Sequence, residues 1–187
     1  MASVLPVRAG VLLFTPVVLL AQTDATVRQA ALARVPRARA MAVDPEVVGA
    51  VVAKNAQGET PQQIQARDRQ WSHNPKDPLR AALTRSPCAE RLRSLVADDP
   101  TIVEVILTDA RGANVCVSRE TSDYWQGDEA KWEKPFKEGV DPFVDAPALD
   151  ASTGTFAIQM SVPVHERGQR VGALTLTLKV TRERPAR

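Results

Sequence analysis

Thr155-Phe-Ala-Ile-Gln-Met-Ser-Val-Pro-Val164, the turn His165-Glu-Arg-Gly168 and Arg170-Val-Gly-Ala-Leu-Thr-Leu-Thr-Leu-Lys-Val180 decide the fold. Successive side chains of a strand point to opposite faces. Phe156, Ile158, Met160 and Val162 therefore share one face of the first strand, against Ala157, Gln159 and Ser161 on the other. In the second strand, Leu174, Leu176 and Leu178 oppose Ala173, Thr175 and Thr177. One face can pack against helices, whereas the small, polar one is a poor core and a plausible pocket floor. Upstream, 101–109 alternates and is rich in β-branched residues, Ala110-Arg-Gly-Ala113 suits a turn, and 114–119 completes another hairpin. Between the hairpins lies 120–150, with two Trp, one Tyr and two Phe. Connections of that length are functional lids or disordered linkers, and the aromatics argue against disorder.

Helices precede the strands. Asp44-Pro45, Thr60-Pro61 and Ser86-Pro87 each place a capping residue before a proline suited to a first helical turn. The helices expected from them run from 45 to about 55, from 61 to Asn74-Pro75, and from 87 to Asp98-Asp99-Pro100, with a short one over 78–83. Helices followed by hairpins specify an α+β domain with an antiparallel sheet. Residues 22–43, rich in Ala and Arg and interrupted by Pro36, read as a loosely helical or disordered lead-in, and 182–187 as a charged tail. The chain opens with one positive charge in residues 1–8, an apolar run over 10–20 and Ala21, the pattern of a secretory signal peptide over 1–21. An uncleaved anchor is the alternative, although the run is short for a bilayer span, which takes about 20 residues.

With 187 residues and a formal net charge of +2, one domain is expected, and no strong field would steer the chain to nucleic acid. Two cysteines, Cys88 and Cys116, could pair in an oxidising compartment. The loop of about 28 residues would then contribute roughly 3–4 kcal/mol in the chain-entropy model. Two separately buried thiols are the other reading.

The stretch 102–109 with Arg111-Gly112, then Thr121-Ser-Asp-Tyr-Trp-Gln-Gly-Asp-Glu-Ala-Lys-Trp132, resembles the single Cache, or PDC, sensor domain family. So do Leu149-Asp-Ala-Ser-Thr-Gly154, Gln159-Met-Ser-Val-Pro-Val164 and Val171-Gly-Ala-Leu174. The resemblance covers about 45–180, and the domain is placed at 44–181. It implies a PAS-like antiparallel sheet of four to five strands with N-terminal helices packed on one face. It also implies ligand binding outside the cytoplasm. Relatives carry membrane helices and an output module; this sequence ends after the sensor, so a signal would pass to a membrane-bound signalling partner.

Catalytic motifs are missing. His73 and His165 are the two histidines, His165-Glu-Arg lacks the second His of a zinc-protease helix, and no P-loop, G-x-S-x-G or G-x-G-x-x-G occurs. No enzyme activity, cofactor or metal is expected. Asp123, Asp128 and Glu129 could offer oxygens to a hard cation, but their spacing does not match an EF-hand loop. Asp128 also suits the cap of a short helix over 129–136. The candidate ligand site comprises Arg119, Tyr124, Trp125, Asp128, Lys131, Trp132, Gln159 and Ser161. Aromatic rings would hold an organic ligand, Lys131 and Arg119 a carboxylate, and Gln159 and Ser161 would donate hydrogen bonds from the sheet. Each aromatic could instead cover the sheet as core, a reading favoured for Trp132 and Trp71. The expected function is periplasmic binding of a small carboxylate or amino acid. The alternative is a ligand-free interaction module docking a membrane signalling protein.

Overall fold

The computed structural model describes residues 16–151 and 153–180. Six helices come first: α1 (Pro16–Leu32), α2 (Val35–Ala42), α3 (Pro45–Ala56), α4 (Pro61–His73), α5 (Pro78–Arg85) and α6 (Pro87–Val96). Strands β1 (Ile102–Asp109) and β2 (Asn114–Val117) follow, then a short α7 (Ala130–Trp132) continued by a π-helical turn, Glu133–Glu138. Strands β3 (Phe143–Val144), β4 (Ala148–Asp150), β5 (Thr155–Glu166) and β6 (Gln169–Lys179) complete the chain. The sheet is antiparallel in every pairing, with order β2-β1-β6-β5-β3, and β4 also pairs with β5. Arg167 and Gly168 link β5 to β6 at φ 51° and 80°, the left-handed pair of a tight hairpin turn.

Alternation sets the layers. Val105, Leu107, Ile158, Met160, Val162, Leu174, Leu176 and Leu178 form one core with residues of α1, α2, α3 and α6. Ile106 and Val117, paired in register on the opposite face, meet Ile64 and Trp71 of α4, Leu83 of α5 and Tyr124 in a second cluster. Gly172 of β6 faces β1, and a Cβ there would overlap the carbonyl oxygen of Thr108.

The 22–43 segment differs from a loose lead-in. Its helices bury Ala31, Val35, Ala38, Met41 and Ala42 in the first core, and Pro36 takes a first-turn position of α2, where its missing N–H is not needed. Arg28 donates to the Val144 carbonyl at 2.9 Å, and Arg34 and Arg37 bind Asp99 and Asp98 beyond α6. The proposed leader falls mostly outside the described residues, with α1 running through its last six positions and beyond. The 182–187 tail lies outside them too. Among the described residues no helix is long and apolar enough to cross a membrane. Strands β3 and β4 are additions within 120–150; at two and three residues they are too short for alternation to reveal.

Asp44 caps α3 through the amides of Glu46 and Val47 and pairs with Arg91 of α6 at 2.6 Å. The Arg91 hydrogen bond, helped by those amides against burial, holds the Asp44 carboxyl below its ordinary value. A depressed folded-state pKa adds stability above the unfolded value, near 3.9, that disappears as pH falls through the folded one. Asp44→Ala is expected to cost about 1–2 kcal/mol near neutrality. In urea titrations, the gap between wild type and Asp44→Asn should narrow as pH drops from 5 to 2. A pH-independent gap would contradict the assignment.

Candidate functional site

A hollow of about 300 Å³ lies over the small, polar face of the sheet. Ile106 of β1 and Ala157 and Gln159 of β5 form its floor. One wall is the 121–131 segment, with Thr121, Asp123, Gln126, Glu129 and Lys131; the other is 145–151, with Asp145, Ala148, Leu149 and Asp150. That volume sits at the small end of ligand sites.

Long-range hydrogen bonds place the first wall. Asp68 Oδ1 on α4 accepts from the backbone amides of Tyr124 and Trp125, each at 3.0 Å. Asn114 donates to Thr121 Oγ1 and to the Asp123 carbonyl at 2.9 and 3.0 Å. The Gln126 amide donates to the Gly112 carbonyl at 2.7 Å, so the segment extends the free edge of β2. Gly112 (φ 80°) and Gly127 touch there, and a Cβ on Gly112 would overlap the Gly127 backbone. Trp132 Nε1 donates to the Asp109 carbonyl at 3.0 Å and pins α7 to the end of β1.

Beneath the hollow the polar face is internally bonded. Gln159 Nε2 donates to Asp150 Oδ2 at 3.0 Å and lies 3.4 Å from Thr177 Oγ1. Thr177 Oγ1 in turn donates to buried Glu104 at 3.0 Å. Asp150 also accepts from the Thr153 amide at 2.8 Å, so a turn residue doubles as wall.

Of the eight residues expected to form the site, Lys131 and Gln159 line the hollow. Ser161 is on the same sheet face but buried, sharing a 2.9 Å hydrogen bond with Thr175. Tyr124 is fully buried in the second cluster, its hydroxyl donating to Glu59 Oε2 at 3.0 Å. Burial and the neighbouring Glu59 charge raise its pKa far above the ordinary phenol value. Trp125 packs beside that cluster, with Nε1 donating to the Arg111 carbonyl at 2.8 Å. Trp132 stacks on Phe136 with ring centres 5.0 Å apart. None of the three aromatics lines the hollow, because the Asp68, Arg111 and Asp109 hydrogen bonds turn them onto helices and strand ends. Arg119 and Asp128 are exposed and outside it. Asp128 caps no helix: α7 starts one residue later from Glu129, which makes no side-chain cap. Pro135, lacking an N–H, lies where the turn widens to π geometry. Cys88 and Cys116 are joined by a disulfide, with Cα atoms 6.0 Å apart.

Sequence reasoning missed the carboxylates Asp145 and Asp150 as wall residues, and Gln126. Among the described residues, no group of three or more His, Cys, Asp or Glu converges tightly enough to hold a metal ion.

The sheet carries α1, α2, α3 and α6 on one face and α4, α5 and the hollow on the other, so the helices do not all share one face as the resemblance implied. The fold is α+β, built on one six-stranded antiparallel sheet. No protein-family model matches it, and no curated protein matches by sequence. Solved structures similar to it include the ligand-binding domain of the Pseudomonas fluorescens chemoreceptor CtaA in complex with L-serine (15% identity, TM-score 0.45). The Vibrio cholerae histidine kinase DctB sensor domain (14%, 0.47) and the ligand-binding domain of the Pseudomonas aeruginosa amino acid chemoreceptor PctC in complex with GABA (18%, 0.48) are others. Alignments cover 85%, 90% and 86% of this chain, but only 55%, 58% and 62% of those chains. These neighbours are ligand-binding sensor domains of chemoreceptors and histidine kinases.

Proposed function

We propose that this chain is an extracytoplasmic sensor domain of the single Cache type that binds a small molecule and catalyses no reaction. The observation that carries the reading is the partly enclosed hollow over the polar sheet face, with the Gln159 amide at its floor. Its wall is ordered by side chains from α4 and β2 rather than left as a free loop, which favours a preformed binding site. The Cys88–Cys116 disulfide suits an oxidising compartment and supports export to the periplasm. The volume fits a molecule the size of a small carboxylate or an amino acid. Output passes to a membrane-bound signalling partner.

A thermal-shift screen of organic acids, amino acids and amines on the purified chain tests this. A ligand at 100 times its Kd adds about 2.7 kcal/mol, which for a domain of this size raises the melting midpoint by roughly 5–10 °C. Gln159→Leu removes the floor amide and should abolish most of that rise. A broad panel that leaves the midpoint unmoved defeats the proposal.

A further inference from the structure

We infer that the hollow takes a small organic cation: an amine whose ammonium group sits between Asp123, Asp145 and the Gln126 carbonyl. The inference rests on the binding function proposed above and specifies its ligand class.

Four carboxylates line the hollow, from Asp123, Glu129, Asp145 and Asp150, against one ammonium, that of Lys131. Lys131 is not a free anion site. It is buried, and its Nζ lies 3.0 Å from Glu129 Oε2, so the two charges cancel within the wall. Asp145 accepts from the Ala146 amide at 2.7 Å, and Asp123 from the Ser122 hydroxyl at 2.8 Å. Neither has a cationic partner among the described residues. Two carboxylates bordering a partly enclosed space create a field that repels an anionic ligand and attracts a cation.

Gln126 supplies an independent sign. Gln126 is one of the residues lining the hollow and is 1% exposed. Nε2 donates to the Asp123 carbonyl at 2.9 Å, which fixes the orientation of the amide. The remaining oxygen, Oε1, is buried without a hydrogen-bond partner. A buried acceptor is normally satisfied, and the group it lacks is a donor. An ammonium is donor-only and carries three N–H bonds, matching one carbonyl and two carboxylates. Among the described residues no group of three or more His, Cys, Asp or Glu could hold a metal ion, which favours an organic cation over a metal. Ala148 and Ala157, with Leu149 at the rim, offer apolar contact to a short alkyl chain.

The experiment is calorimetric titration of the whole chain with 1,4-diaminobutane and ethanolamine, and with succinate and malate. The amines should bind and the dicarboxylates should not. Asp145→Asn keeps the shape and the acceptor for the Ala146 amide, and should weaken amine binding roughly 10- to 100-fold, as loss of a charged hydrogen bond does. Its unliganded melting midpoint reports that the fold is intact. Should Asp145→Asn melt early, Asp123→Asn serves as the second variant with the same expectation. Binding of dicarboxylates but not amines overturns the cation assignment while leaving a small-molecule site in place. Binding of neither class overturns the cation assignment, and the broad thermal-shift panel then decides separately whether the hollow binds any small molecule. Amine binding unchanged in both variants overturns the placement.

Discussion

Trp71→Ala is expected to lower the unfolding free energy by about 3–5 kcal/mol, the range for truncating a buried aromatic. Trp71 has no exposed surface and is the largest side chain of the second cluster, where its ring centre lies 6.3 Å from that of Tyr124. Arg80 stacks over it at 4.3 Å and donates to its carbonyl oxygen. The indole N–H donates to the Thr121 carbonyl at 3.1 Å. Truncation therefore opens a cavity and also strips an acceptor at the residue where the wall of the hollow begins. Trp71→Phe separates the two effects: it keeps most of the ring and loses the hydrogen bond, for about 1–3 kcal/mol. Urea unfolding measures both, and the Trp71→Ala midpoint should drop with the slope unchanged. A cost under about 1 kcal/mol for Trp71→Ala would mean that α4 does not anchor this face of the sheet.

The same tryptophan marks how far the sequence could be read. Its helix was legible because Thr60-Pro61 caps and opens it, and Thr60 and Gln63 form the reciprocal hydrogen bonds of a capping box. The hairpin of β5 and β6 was legible because strict alternation assigns Leu174, Leu176 and Leu178 to one layer and Thr175 and Thr177 to the other. The polar floor followed directly. The wall did not. Tyr124 and Trp125 lie in a stretch without periodicity, where side-chain direction is set by Asp68, 56 and 57 residues away. No local pattern reports such a bond, and an amphipathic ring reads equally well as ligand contact or core. The N-terminal helices escaped for another reason. Ala31, Ala38 and Ala42 add little hydrophobic signal, yet all three are buried in the first core.

The disulfide yields the second large effect. Replacing both cysteines by alanine should lower the unfolding free energy by about 3–4 kcal/mol, chiefly by freeing the unfolded chain from a closed loop. Cys88 and Cys116 are 28 residues apart, and the loop contains α6 from Cys88 onward and all of β1. Alanine is the right replacement, since both sulfurs lie in the first core and a buried serine hydroxyl would add a desolvation cost. The tether has a local role too. Strand β2 is four residues long and stands at the edge of the sheet, and its free side carries the wall through the Gln126–Gly112 and Asn114–Tyr124 backbone hydrogen bonds. Without the link to α6, β2 and the 121–126 segment should open more readily than the central β5–β6 pair. Amide hydrogen exchange should accelerate over 114–117 and 121–126 beyond the change seen in β5 and β6. Reduction of the wild-type chain should reproduce both the stability loss and the exchange pattern. Equal urea midpoints for the oxidised chain and the double alanine variant would show that the hydrophobic core alone holds α6 against β2.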